Sequence, residues 1–134
     1  MTSNRWERAT QSAASWAPTV GRILLGLVLA WFGYHELVQP GLWTGYVPVL
    51  SPTSSLATVA VLAHGWLLLV LAVALIAGIA PRAAAAVAAL LLLEIVISLT
   101  VSGGLSDLTL RDVGVLGLAV IVSGVDQDRL VLTG

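Results

Sequence analysis

The sequence contains no cysteine, and charged residues make up only 10% of its 134 positions. Without cysteine the chain has no disulfide exchange, thiolate ligation, iron–sulfur cluster or cysteine-held zinc of its own. With a net charge of −1 and no basic stripe, nucleic acid is not an expected partner. The two histidines, His35 and His64, are not joined by a ligand spacing such as His-x-x-x-His, so no metal site is expected. The amino terminus lacks the small-residue cleavage pattern of a signal peptide, so the first apolar helix is expected to stay in the mature protein. Inverted repeats and helices interrupted at mid-membrane, which mark many transporters, are also missing.

What is present is apolar. Hydrophobic residues form 58% of the chain and mean hydropathy is +1.00, in runs rather than stripes, which points to an integral membrane protein. Four runs, about 19–38, 56–79, 83–102 and 110–125, are read as helices able to cross a hydrocarbon core about 30 Å thick. Helices satisfy their own backbone hydrogen bonds in lipid, so the expected fold is all-α, an antiparallel four-transmembrane-helix bundle in one domain.

Residues 1–18 read either as a short interfacial helix anchored by Trp6 and Trp16 or as a disordered tail. At about 100° per residue, Arg22, Gly26, Gly33 and Glu36 share one face of the first helix, and small residues there should turn it towards the bundle. His35 then points sideways. The segment 40–55, with Pro40, Pro48, Pro52, Trp43 and Tyr46, is expected to lie on the membrane surface as a loop or lid. Thr109 and Asp112 have the spacing of a capping box, which would start the fourth helix near Leu110. Residues 126–134 form a short tail. Arginines at 5, 8, 22, 82 and 129 set against Arg111 alone place both termini and the turn between the second and third helices in the cytoplasm, with the bundle in the plasma membrane.

Glu94 interrupts the apolar third helix, where an acid is costly unless protonated, paired or reached by water. Counted from the outer helix ends, Glu94 and His64 both lie roughly 12 Å deep, and Glu36, Arg111 and Asp112 roughly 5 Å deep. A polar pocket opening outward beneath the Trp43/Tyr46 loop follows. Two readings of Glu94 stay open: a proton- or ligand-handling acid, or a structural tie to Ser98 or His64. Asp112 reads as a cap, and Arg111 as a cation seeking Glu36 or Asp107.

The order of Arg22-Ile-Leu-Leu-Gly-Leu, Gly33-Tyr-His-Glu-Leu, Pro40, Trp43, Tyr46-Val-Pro48, Pro81-Arg82, Glu94 and Leu110-Arg-Asp-Val-Gly-Val-Leu-Gly resembles the DoxX family of small four-helix membrane proteins. The resemblance spans Gly21 to about Ser123. It implies an association with quinone-linked oxidoreductases and with partner proteins, and it marks Arg22, His35, Glu94, Arg111 and Asp112 as important positions. The missing cysteines depart from thiol-redox relatives of the wider superfamily.

The leading expectation is a membrane subunit without an intrinsic cofactor that binds a quinone or similar amphiphile in the outer pocket and assists a partner's redox centre. Glu94 and His64 would handle the proton, Arg111 and Tyr46 would hold a carbonyl, and Glu36 would complete the pocket. The rivals are a non-catalytic anchoring or assembly subunit and a small oligomeric transporter. The expected partners are the lipid bilayer and either further copies of the chain or a membrane or peripheral protein.

Overall fold

The computed structural model describes residues 4–47, 51–125 and 128–133. Within them the chain forms four α-helices: α1 Arg5–Val38, α2 Ser55–Ala77, α3 Pro81–Gly103 and α4 Asp107–Ser123. Each start has a local cause. The Asn4 side chain accepts from the Glu7 amide at 2.8 Å and Glu7 reaches back to the Asn4 amide at 3.1 Å, a reciprocal cap that starts α1 well before Thr19. The helix continues through Pro18 although a proline forfeits a main-chain bond. Residues 5–18 are thus neither a separate interfacial helix nor a disordered tail, but the first turns of a 34-residue rod about 51 Å long.

Ser54 caps α2, and Gly78, at φ 81°, ends it in the left-handed conformation that glycine adopts freely. Pro81 opens α3, where its missing N–H costs nothing. The expected Thr109–Asp112 capping box does not form. Ser106 takes the cap, its hydroxyl accepting from the Thr109 amide at 3.3 Å, so α4 begins at Asp107 and carries Asp112 in its second turn.

Contacts along the helices fix their directions. A Cβ on Gly26 would touch Ala72 and Ile76, and one on Gly33 would touch Gly65, so residue numbers fall along α2 as they rise along α1. Arg82 Nε, at the start of α3, donates to the Ser123 carbonyl at the end of α4 at 3.2 Å. Phe32 of α1 meets Arg111 of α4, while Gly21 meets Leu118. The helices therefore run up and down in turn. The closest packing lies within the α1–α2 and α3–α4 pairs.

The interior is a continuous cluster that includes Leu25, Leu29, Leu68, Leu75, Ala88, Leu92 and Ala119. The predicted inward face of α1 is confirmed, since Arg22, Gly26, Gly33 and Glu36 are all buried. Most other large apolar side chains, among them Leu24, Val70, Val73, Leu90 and Ile97, point outward. In water such a surface would be untenable. α1, α2 and α3 are long and apolar enough to cross a membrane, and their outward faces suit lipid tails.

Two features at opposite ends position everything else. Pairing of Gly33 with Gly65 sets Glu36 beside His64, yet α1 stops two residues after Glu36 while α2 begins nine residues before His64. α2 therefore overhangs α1 by about 10 Å. That step is filled by residues 39–47, which fold into two short 3-10 turns, Pro40–Leu42 and Thr44–Tyr46. The expected surface loop is thus a compact packing over the bundle, with Trp43 set edge-on against Phe32 at 6.3 Å between ring centroids.

At the other end, residues 128–133 fold back on the α2–α3 turn. Leu132 and Thr133 amides donate to the Gly78 carbonyl, and the Ala80 amide donates to the Thr133 carbonyl at 3.0 Å. Fully buried Arg22 holds this strap, with Nη1 3.4 Å from Asp128 and Nη2 donating to the Leu130 carbonyl at 3.1 Å. Thr19 donates to Asp128 at 2.6 Å and accepts from the Arg129 amide at 2.9 Å.

Candidate ligand-binding site

A cavity of about 140 Å³ opens between the helices under the 39–47 segment. Its walls are chiefly apolar, from Phe32, Trp43, Val47, Ala60, Val61, Ile95 and Leu99, and its polar lining comes from Glu36, His64, Glu94, Ser98 and Asp112. Four helices thus contribute one or more polar groups to a space that the sequence alone expects beneath Trp43.

His64 is the centre of the polar set. Its Nδ1 lies 2.9 Å from Oε2 and 3.1 Å from Oε1 of Glu36, a carboxylate that is 5% exposed. A carboxylate only accepts, so the ring directs its Nδ1–H towards Glu36. On the far side, Nε2 is 4.0 Å from Oε2 of Glu94, beyond hydrogen bonding but within reach of a small side-chain movement. The imidazole therefore stands between two acids of different access: Glu36 is shut in, whereas the Glu94 side chain is 53% exposed at the edge of the cavity. Leu90 and Ile97, on the same side of α3, also face outward. Glu94 belongs to the rim.

Counting from helix ends misjudges one depth. Glu36 is close to the end of α1 yet level with His64, because α1 ends below the start of α2. The Gly33–Gly65 approach makes this level contact possible. A Cβ on Gly65 would lie 3.1 Å from the Cβ of Glu36, so a larger residue there would push the acid away.

Asp112 joins the set by a route that the capping interpretation hid. Buried residues of α4 are Thr109, Asp112, Ala119 and Val122, all on one helical stripe. That periodicity was legible and could have pointed Asp112 inward. Asp112 is 3% exposed, and its Oδ1 has no hydrogen-bond partner among the described residues. Arg111 Nε lies 3.6 Å from the same oxygen.

The remaining candidates lie elsewhere. Arg111 is not among the residues lining the cavity. Its contacts are Asp112 and the Phe32 ring, 5.8 Å from the guanidinium carbon, rather than the expected Glu36 or Asp107. Its side chain is 57% exposed. His35 Nδ1 donates to the Trp31 carbonyl at 2.8 Å and the ring stacks on that of Trp31 at 4.0 Å, outside the cavity. Arg22 is 14 residues before Glu36 on α1, about 21 Å along the helix, and serves the strap. Tyr46 has its backbone in the second 3-10 turn, and its side chain lies outside the described part of the structure, as does Pro48.

Among the described residues, no group of three or more His, Cys, Asp or Glu side chains could hold a metal ion. The arrangement instead suits an uncharged ring in an apolar slot with proton acceptors at its edge. Comparison with family models, curated proteins and solved structures finds no match to this chain.

Proposed function

We propose that this chain is a DoxX-like membrane subunit that binds the headgroup of a quinone, or of a similar amphiphile, in the cavity under residues 39–47. In this reading all four helices cross the plasma membrane, including the 17-residue α4. Both termini are cytoplasmic and the cavity opens near the outer face. The electrons pass to or from a redox centre held by a partner protein, and this chain manages the protons. Converting a quinone to a hydroquinone takes up two electrons and two protons, and the reverse releases them, so a site in lipid needs groups that carry protons where water is scarce. Glu94, half-exposed, exchanges with the outside, and His64 relays to the bound headgroup while Glu36 holds the ring in place.

The observation that carries this reading is the placement of His64 between Glu36 and Glu94 on the wall of one apolar cavity. The test is to purify the chain gently from membranes and extract what accompanies it, comparing wild type with Glu94→Gln. Quinone bound to the wild type and diminished in the variant supports the role; equal quinone in both counts against Glu94.

One observation favours a second reading, a non-catalytic anchoring subunit. Gly114 and Gly117 of α4 have nothing within 4 Å of an added Cβ, so this face is open to another membrane helix. A stoichiometric protein partner, with no small molecule in the cavity, would favour that alternative.

A further inference from the structure

Nε2 of His64 and Oδ1 of Asp112 are buried polar atoms on side chains lining the cavity with no hydrogen-bond partner among the described residues, the Arg111 Nε lying 3.6 Å from the Asp112 oxygen. Buried polar groups are almost always satisfied, and those left over at a cavity wall are where a ligand's own polar atoms are expected. Both atoms can serve as acceptors. With its Nδ1 hydrogen turned to Glu36, the His64 ring in its neutral form presents the lone pair of Nε2. Asp112 presents a carboxylate oxygen, and Glu94 presents another at the rim.

No arginine lines the cavity among the described residues. The lining donors are the Ser98 hydroxyl, which accepts equally well, and the Trp43 indole. A headgroup bearing only carbonyl oxygens would set its lone pairs against those of His64 Nε2 and Asp112 Oδ1. A headgroup bearing hydroxyls would supply the missing hydrogens.

Resting on the reading that the cavity holds a quinone-type headgroup, we propose that it selects the reduced, hydroxyl-bearing hydroquinone over the oxidised quinone, with Asp112 and His64 as the acceptors. Asp112 is then a binding residue rather than a helix cap. The ring of the headgroup lies against Phe32, Val61 and Leu99.

The test compares binding of decylubiquinone and its hydroquinone to the purified full chain in lipid nanodiscs, held anaerobic with excess reductant for the reduced form, by equilibrium dialysis. The hydroquinone is expected to bind about tenfold more tightly or better, the scale of one hydrogen bond to a charged acceptor. Asp112→Asn, which adds N–H donors at the same volume, is expected to remove most of that preference by strengthening quinone binding relative to hydroquinone. Equal or tighter binding of the quinone to the wild type overturns the selectivity and leaves the quinone-site reading standing. Binding of neither form overturns both. Dodecylammonium offers similar donors, so its binding where neither quinone form binds assigns the acceptors to an amine and overturns the hydroquinone. Because the wild-type comparison decides alone, a poorly folding variant leaves the proposal falsifiable.

Discussion

Gly33 and Gly65 meet across the α1–α2 interface so closely that a Cβ on Gly33 would lie 2.8 Å from the Gly65 carbonyl oxygen. In lipid there is no hydrophobic gain from joining helices, so close backbone approach supplies much of the attraction. The same approach sets Glu36 level with His64, one turn further along α1.

Gly33→Ala is therefore expected to destabilise the bundle by about 1–3 kcal/mol, the range for overpacking a tight interface. The neighbouring atom is backbone and cannot swing aside. Unfolding in mixed micelles, followed by near-ultraviolet circular dichroism, measures the loss. A variant as stable as wild type would show that α1 and α2 sit further apart.

The Glu36–His64 bond predicts non-additivity. Glu36→Gln and His64→Gln should each cost about 1–3 kcal/mol, because each leaves a buried partner less well satisfied. The double variant should cost less than the sum by about 1 kcal/mol. The same micelle unfolding assay, run as a four-member cycle, checks this, and strict additivity would mean that the bond does not hold in the membrane.

The proposed four crossings predict which ends share a side. The native chain has no cysteine, so a single Leu105→Cys or Leu132→Cys provides one reporter; both side chains are well exposed. On intact cells an impermeant maleimide should label Leu105→Cys, between α3 and α4, and should reach Leu132→Cys only after permeabilisation. Labelling of both from outside would mean that α4 does not cross.

The strap at the other end depends on Arg22. Arg22→Met removes the contacts to Asp128 and Leu130, and the loss of charge-assisted hydrogen bonds should cost about 2 kcal/mol. Amide hydrogens of Leu132 and Thr133, now bonded to Gly78, should exchange at least about tenfold faster if local opening becomes that much easier. Unchanged exchange would show that the main-chain bonds suffice without the arginine.

The presence of four helices and the inward face of α1 were readable because they depend on local periodicity and on breakers such as Pro40 and Pro81, whereas the start of α1 at Arg5 and the end of α2 at Gly78 were not. The cavity's membership was readable in part. Glu94, His64 and Glu36 stand out as polar residues in apolar runs, but their common level depends on where α1 ends relative to α2, which only packing decides. Asp112 was hidden behind a plausible cap because Thr109 offers the right spacing, whereas Ser106, three residues earlier, captures the helix start instead. The partnership of Arg22 with Asp128 was not legible, since over 100 positions separate them and nothing in either neighbourhood announces the other.

The strap that closes one end of the bundle and the unsatisfied acceptors that mark the other lie too far apart to share side chains. Energetic effects at such a separation usually add independently. The strap is therefore a source of stability that lies apart from the cavity. Sequence drift or deliberate engineering around Arg22, Thr19 and Gly78 can harden or soften the protein without disturbing the groups that line the cavity.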